Sequence, residues 1–263
     1  MKRNKFIQFA CSAAVAVSFA ACSQDELSSP TGGVEGAYPL QISTVTIADG
    51  QPSTRVTENA DRMGSMWEVG DLIYVKFEGQ DEVCTFRITD ATTGAVEVVD
   101  NQLYWTSAPA TISAWHNSTG QKDAMAVNNQ KDGIVYLVGF SGQVEFSSPL
   151  KLTLSHQLSK VRVYLSGFTS PTSVAMKYPA DYTITDGKIT KISNRIGTIS
   201  MCPTTVNGKV CFEAAVAPGT VTSDYTFIIR QANGAEYEMG LNKDLVLEAG
   251  EVSEVTLTLR ISN

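Results

Sequence analysis

The stretch LKLTLSHQLSKVRVYL, residues 150–165, decides the fold class of this chain. Its apolar residues alternate with polar ones, on even positions in 150–154 and on odd positions in 161–165. Alternation with a period of two is typical of a β-strand with one buried face. Because one inserted residue turns every later side chain to the opposite face, the change of parity predicts a bulge or turn within 155–160.

Strand patterns continue along the rest of the chain. No segment after residue 22 keeps a helical apolar period, whereas Asp-Gly or Asn-Gly pairs, which are typical of tight hairpin turns, recur in the second half. Three of them stand within about 60 residues, at 186–187, 207–208 and 233–234. The sequence therefore predicts an all-β fold with a meander or Greek-key layer toward the C-terminus.

The loop-like stretch SGFTSPTSVA, residues 166–175, is the best candidate for a domain boundary. We expect an N-terminal β-domain over residues 38–165 and a C-terminal β-domain over residues 166–263. Residues 22–37 are rich in Ser, Gly and acidic residues. This composition is typical of a flexible tether, so we expect a linker ahead of the first domain.

Residues 1–21 are typical of an export signal. A short basic start precedes an apolar run from Phe6 to Ala21, which is interrupted by polar residues and too short to span a bilayer. Phe19-Ala20-Ala21-Cys22 resembles a bacterial lipobox, in which the cysteine becomes the lipidated first residue. We therefore expect a lipid anchor on Cys22, because several acyl chains together hold a protein stably on a membrane. An ordinary cleavable signal with an incidental Cys22 is the alternative.

The charge of the chain argues against nucleic acid as a partner. Loss of residues 1–21 removes three basic residues and no acid, which lowers the formal charge from −7 to −10. Nucleic-acid recognition depends on Lys and Arg against phosphate, so such an acidic protein is a poor candidate for it.

The sequence carries no motif for catalysis or for a bound metal. It has only two histidines, His116 and His156, and no second ligand stands at metal-binding spacing. Gly-rich phosphate loops and the nucleophile motifs of hydrolases are absent as well. We therefore expect no catalytic residue, no metal and no cofactor, and we expect His156 to be a buried, hydrogen-bonded histidine.

Three cysteines remain beyond the signal and Cys22, namely Cys84, Cys202 and Cys211. A turn centred on residues 207–208 would pair Cys202 with Glu213 and leave Cys202 and Cys211 as diagonal neighbours. Diagonal Cβ atoms lie about 7 Å apart, whereas a disulfide needs about 4 Å. We therefore expect three small buried thiols.

The three tryptophans, Trp67, Trp105 and Trp115, allow two interpretations. Tryptophans can form a stacking platform for sugars, but they more often fill the core of a β-sandwich. Their solvent exposure decides between the two.

Four motifs in a fixed order give a family resemblance: STR at 53–55, WEVGDLIYV at 67–75, LTLSHQLSKV at 152–161 and LEAGEV at 247–252. Together with the exported start, they resemble the fimbrillin family, the pilins and pilin-like proteins of type V fimbriae in Bacteroidales. The resemblance implies two tandem transthyretin-like β-sandwich domains behind a lipoprotein signal peptide. It also implies a surface-exposed, lipid-anchored protein of the outer membrane, with other fimbrial subunits as partners and a host or bacterial surface as the target of adhesion.

The family further implies donor-strand complementation. A protease cuts after an arginine that follows the first strand, this strand leaves, and a strand from a partner subunit fills its place. Arg55 matches the arginine of this motif, with a solvated loop arginine as the alternative reading. Residues 38–48 would be the strand that leaves, and its apolar residues change parity between Ile42 and Val45.

One departure from the family pattern bears on the position in a fibre. Stalk subunits of the family carry a C-terminal extension as donor strand, whereas this sequence stops at Asn263, directly after a predicted strand. We therefore expect a minor or terminal subunit, at a tip or as an accessory, or a surface lipoprotein that does not polymerise. The alternative function is a glycan-binding surface lipoprotein of a nutrient-uptake system, which would need exposed tryptophans.

Lipidation at Cys22 gives the first testable prediction. Cys22→Ser should abolish incorporation of labelled fatty acid, because the serine hydroxyl cannot form the thioether on which lipoprotein processing depends. Metabolic labelling of cells that produce either form measures the effect. Continued labelling of the variant would contradict the assignment.

Overall fold

The computed structural model of the protein describes residues 38–48, 65–146 and 149–259. These residues form twenty β-strands and no helix, which confirms the all-β prediction. None of the described residues accordingly belongs to a helix long and apolar enough to cross a membrane. Cys22 and Arg55 both lie outside the described residues.

The strands are numbered in chain order. The first eight are β1 (Ile42–Ile47), β2 (Leu72–Phe77), β3 (Cys84–Asp90), β4 (Ala95–Asp100), β5 (Ala110–Asn117), β6 (Ala124–Ala126), β7 (Leu137–Val144) and β8 (Leu150–His156). The others are β9 (Ser159–Ser166), β10 (Pro171–Pro179), β11 (Asp181–Thr185), β12 (Lys188–Ile192), β13 (Ile196–Ser200), β14 (Cys202–Val206), β15 (Lys209–Val216), β16 (Gly219–Val221), β17 (Thr226–Gln231), β18 (Glu236–Gly240), β19 (Leu245–Leu247) and β20 (Val252–Thr258).

Seven of the first eight strands pair in one closed sheet, in the order β1-β4-β3-β2-β5-β7-β8. We call it the N-terminal sheet. It closes because β1 lies between β4 and β8, antiparallel to the first and parallel to the second. Alternate side chains point inward and form an apolar core, in which Val45, Phe86, Ile112 and Leu154 are almost fully buried.

The chain changes sheets between β8 and β9, at Gln157 and Leu158. β9 pairs with β15 and β20, which lie far along the chain. The predicted turn within 155–160 is therefore the crossing from one sheet to another, and each strand keeps its own regular alternation. The domain limits proposed from the sequence stay predictions, although the pairing joins β9 to the later strands.

Two four-stranded sheets, β14-β15-β9-β20 and β13-β10-β17-β18, hold most of the second part of the chain. Apolar side chains from both sheets belong to one core; they include Val161, Val163, Phe212, Met176 and Ile229. The C-terminal part is thus built of packed layers of antiparallel and parallel strands.

The predicted hairpins are present, and the cysteine register is as expected. Asn207 and Gly208 have φ angles of 50° and 75°, as the first and second residues of a type I′ turn require. Cys202 faces Glu213 and Thr204 faces Cys211, which confirms the predicted pairing. Among the described residues the three cysteines form no disulfide. Cys84 and Cys211 are buried as expected, whereas Cys202 is partly exposed, contrary to the expectation of burial.

A buried group of charges fixes β9 between its neighbours. The guanidinium of Arg162 donates to Glu213 of β15 at 2.5 Å and to Glu254 of β20 at 3.1 Å. The ammonium of Lys160 lies 3.4 Å from Glu213. The side chains of Lys160, Arg162 and Glu213 are at most 6% exposed. Breaking such a buried pair costs about 3–5 kcal/mol, so these contacts hold β9, β15 and β20 in register.

The connection between β5 and β7 ties the two parts of the molecule together. We call residues 118–136 the connecting arm. Its strand β6 pairs with β11, and Met125 and Val127 are buried in the C-terminal core. The side-chain amide of Gln130 imitates a neighbouring strand: its Nε2 donates to the carbonyl of Ala215 at 2.8 Å and its Oε1 accepts from the Ala215 N–H at 3.0 Å. The connecting arm thus joins two strands of the N-terminal sheet but packs into the C-terminal core.

The β11–β12 turn packs directly on the N-terminal sheet. A Cβ atom on Gly187 would lie 2.7 Å from Cβ of Trp115, and one on Gly139 would lie 2.8 Å from the carbonyl oxygen of Gly187. Lys76 of β2 also pairs with Asp186 of the turn at 3.1 Å. Only glycine at both positions allows this approach, which fixes how the two parts meet.

Candidate functional site

The candidate site is β1 with the surface that receives it. β1 runs parallel to β8, and the two strands share backbone hydrogen bonds at both ends. The Leu150 N–H donates to the carbonyl of Gln41 at 2.8 Å, and the Ala48 N–H donates to the carbonyl of Leu154 at 2.7 Å. The ladder thus covers the predicted segment 38–48 almost completely.

Four apolar side chains of this segment enter the core of the N-terminal sheet. Leu40 and Val45 are fully buried, and Ile42 and Ile47 are 6% and 5% exposed. Burial of such a side chain stabilises a fold by about 1.5–3 kcal/mol relative to full exposure. The first strand is therefore a main contributor to this core.

A β-bulge explains the change of parity within β1. Ile42 pairs with Leu150 and Thr44 with Lys151, so Ile42 and Ser43 together oppose one residue of β8. Beyond the bulge the pairing continues from Val45 with Leu152. The extra residue allows Val45 to point to the same side as Ile42.

The opposite edge of β1 depends on a close approach at Gly94. The Val45 N–H donates to the Gly94 carbonyl at 2.8 Å. Gly94 has φ of +69°, and a Cβ atom on it would lie 2.1 Å from the carbonyl oxygen of Val45. Farther along, the Leu40 N–H donates to Leu103 at 2.8 Å and the Gln102 side-chain amide donates to the Leu40 carbonyl at 2.9 Å. We call β8, Gly94 and residues 102–105 together the β1 groove.

A second group of side chains fixes the chain at residues 66–71. The Tyr136 hydroxyl donates to the carbonyl of Met66 at 2.9 Å. The ring of Trp67 meets the ring of His116 edge to face, with centroids 5.2 Å apart. Asp71 accepts from the Glu68 N–H at 2.8 Å, which closes the turn of the W-x-x-G-D motif. We call Trp67, Asp71, His116 and Tyr136 the anchor cluster.

Burial determines the protonation states of His116 and Tyr136 in the anchor cluster. Nδ1 of His116 lies 2.9 Å from the Leu72 carbonyl, and Nε2 lies 4.0 Å from Asp71. Burial lowers the pKa of His116, although Asp71 and the Leu72 carbonyl act in the opposite direction. Burial, followed by the charges of Asp71 and Glu68, raises the pKa of Tyr136. The imidazole is therefore held neutral and the phenol protonated, as donor to Met66.

The tryptophans belong to the cores. Trp67, Trp105 and Trp115 are 9%, 2% and 1% exposed, so none of them offers a face for a sugar. Trp105 packs edge to face against Phe77 and Phe146. The glycan-binding alternative thereby loses the sequence feature on which it rested.

Neither predicted site residue can be placed, since Cys22 and Arg55 lie outside the described residues. His156 is buried, as expected. Within the described ranges, no three His, Cys, Asp or Glu side chains come together as ligands of a metal ion. Sequence reasoning missed Gly94 and Leu103 as parts of the site, because nothing local distinguishes Gly94 from other turn glycines.

The pairing and the groove define a class: an all-β protein whose first strand closes a sheet beside the last strand of that sheet. The fimbrillin-like family matches the sequence over residues 54–263, and the chain belongs to this family.

Solved structures of low sequence identity share the fold. A protein of Bacteroides uniformis, provisionally described as a cell adhesion protein, aligns over 84% of this chain and 93% of its own, with a TM-score of 0.56 and 15% identity. A protein of Bacteroides ovatus with the same provisional description aligns over 84% and 92%, with a TM-score of 0.56 and 15% identity. No curated protein matches the sequence.

The close approach at Gly94 gives a prediction with a matched control. Gly94 and Gly79 share a positive φ, +69° and +77°, but a Cβ atom on Gly79 would meet nothing within 4 Å. A left-handed alanine costs about 1–2 kcal/mol, so Gly79→Ala should lose about that much stability. Gly94→Ala should lose about 3 kcal/mol or more, because β1 must also shift. Urea denaturation measures both; equal losses would contradict the contact.

The neutral state of His116 predicts a loss of stability in acid. Since its folded-state pKa lies below the ordinary value of 6.5, its contribution is complete above pH 6.5 and is lost as the pH falls below that value. One proton gives a slope of at most about 1.4 kcal/mol per pH unit. His116→Gln should flatten the decline that denaturation curves record between pH 7 and 5. An unchanged slope in the variant would contradict the assignment.

Proposed function

We propose that this protein is a minor or terminal structural subunit of a type V fimbria, at a tip or as an accessory, with a role in adhesion. It joins its neighbour by donor-strand complementation. Before processing, a lipid on Cys22 holds it on the outer membrane at the cell surface. Membership of the fimbrillin-like family supports the fimbrial role and the surface location.

The placement of β1 is the observation that carries this proposal. Cleavage after Arg55 would sever the chain between β1 and the anchor cluster, and β1 could then leave. Its departure would uncover the places of Leu40, Ile42, Val45 and Ile47 in the core. It would also free backbone groups of β8, such as the Leu150 N–H. An exposed strand edge beside an apolar groove favours the addition of a strand from another chain.

The anchor cluster supports the same mechanism from the other side of the cut. Tyr136 binds the Met66 carbonyl, and Trp67 packs on His116. These contacts do not involve β1, so the chain from residue 65 onward would stay in place after cleavage. The cut would also separate the processed protein from its lipid, because Cys22 lies on the departing side.

The contacts of β20 argue against its release as a donor strand. β20 pairs with β9 over seven residues, from Val252 to Thr258. Glu254 binds the buried Arg162, and Leu257 is 4% exposed. A strand with these contacts belongs to its own sheet, and its release would remove one carboxylate partner from the buried Arg162.

The test uses the full-length protein, cut after Arg55 by an arginine-specific protease, and stalk subunits of the same organism. The cut form should bind stalk subunits in size-exclusion chromatography. A protein with both Arg55→Ala and Arg62→Ala has no arginine between β1 and the anchor cluster and should not bind them. Polymerisation of the cut protein alone would contradict the terminal role. Failure of the cut protein to bind any stalk subunit would instead favour a surface lipoprotein that acts by itself.

A further inference from the structure

The spacing of the apolar residues on β1 differs from their spacing on β8, which lines the β1 groove. On β8 the residues that face β1 at the core are Leu150, Leu152 and Leu154, each 6% exposed or less, at a strict spacing of two. On β1 the apolar partners are Ile42, Val45 and Ile47, with one residue too many between the first two. The bulge at Ser43 absorbs this difference.

The bulge interrupts the pairing near the start of β1. The hydroxyl of Ser43 donates to the Leu150 carbonyl at 3.0 Å, so a side chain satisfies an acceptor of the ladder. Bulges leave a residue unpaired and are rare between parallel strands. Parallel pairs are also slightly less stable per residue than antiparallel ones. β1 therefore occupies the groove with irregular pairing at the bulge.

We propose that β1 is a weakened occupant, and that the groove fits best a strand of uninterrupted alternation. Such a strand has an apolar residue at every second position and needs no bulge to reach the places of Ile42, Val45 and Ile47. This inference rests on the proposed replacement of the first strand. It assigns the chemistry of the partner: an extended segment whose apolar residues keep a strict spacing of two opposite β8.

The first experiment needs no partner and no cleavage. Deletion of Ser43 in the full chain brings the two halves of β1 into one regular strand. The melting temperature should rise by about 2–4 °C, because a regular backbone ladder replaces the single side-chain bond of Ser43 to Leu150, a net gain of about one hydrogen bond in a protein of this size. Ser43→Ala is the matched control: it removes the hydroxyl but keeps the extra residue, and it should not raise the melting temperature. A lower or unchanged value for the deletion would overturn the proposal.

The second experiment measures exchange directly. A protease site engineered at residues 53–57 of the full chain allows cleavage independent of native processing. Fluorescent peptides then compete for the groove: YPLQISTVTIA, which is residues 38–48, the same peptide without Ser43, and the same peptide with Ser43→Ala. The peptide without Ser43 should dissociate about tenfold more slowly than the other two, because a gain of about one hydrogen bond corresponds to a change of about this size.

The two experiments separate this inference from the proposed function. If no peptide replaces the resident strand, strand exchange is wrong for this protein, and the melting temperatures still decide whether the bulge weakens β1. If peptides exchange but the deletion peptide dissociates as fast as the others, exchange stands and the proposed partner pattern is wrong. If the deletion variant does not fold, the peptides alone decide, because they leave the chain from residue 65 unchanged.

Discussion

The pairing of β1 with β8 is the interaction on which the N-terminal sheet depends. β8 is the last strand of this sheet and β1 is the first segment of the described chain, so the sheet closes only when the two meet. The pairing spans more than a hundred residues of sequence, and nothing local enforces it. What enforces it is the burial of alternate side chains such as Val45 and Leu154, together with the ladder beside them. Removal of this one strand would therefore leave an unpaired edge on β8.

The contacts that hold the rest of the molecule together do not involve β1. The connecting arm and the β11–β12 turn join the two parts through contacts of Gln130 and Gly187 with residues outside β1. The charges around Arg162 hold β20 in the C-terminal sheet. The anchor cluster holds the chain after the predicted cut. Because these contacts do not involve β1, we expect each element to keep its partners when β1 is removed.

Local features of the sequence predicted the elements well. Alternation and X-Gly turns gave the strands, and the turn at Asn207 gave the register that separates Cys202 from Cys211. The route of the chain between sheets was beyond such reasoning. Parity placed a turn within 155–160, but a change of parity has the same appearance whether the chain bulges within one sheet or crosses to another. Gly94 and Gln130 act through contacts with distant residues, which no local period records.

Hydrogen exchange on β8 tests the central claim most directly. In the intact protein the Leu150 N–H is bonded to Gln41, and the Ala48 N–H is bonded to Leu154, so both amides should be protected. After cleavage between β1 and the anchor cluster and removal of the released segment, the Leu150 amide should exchange freely while amides of β9 and β15 stay protected. Addition of a strand peptide should restore the protection. Protection of Leu150 that survives the loss of β1, or a loss of protection that spreads to β9 and β15, would contradict the account.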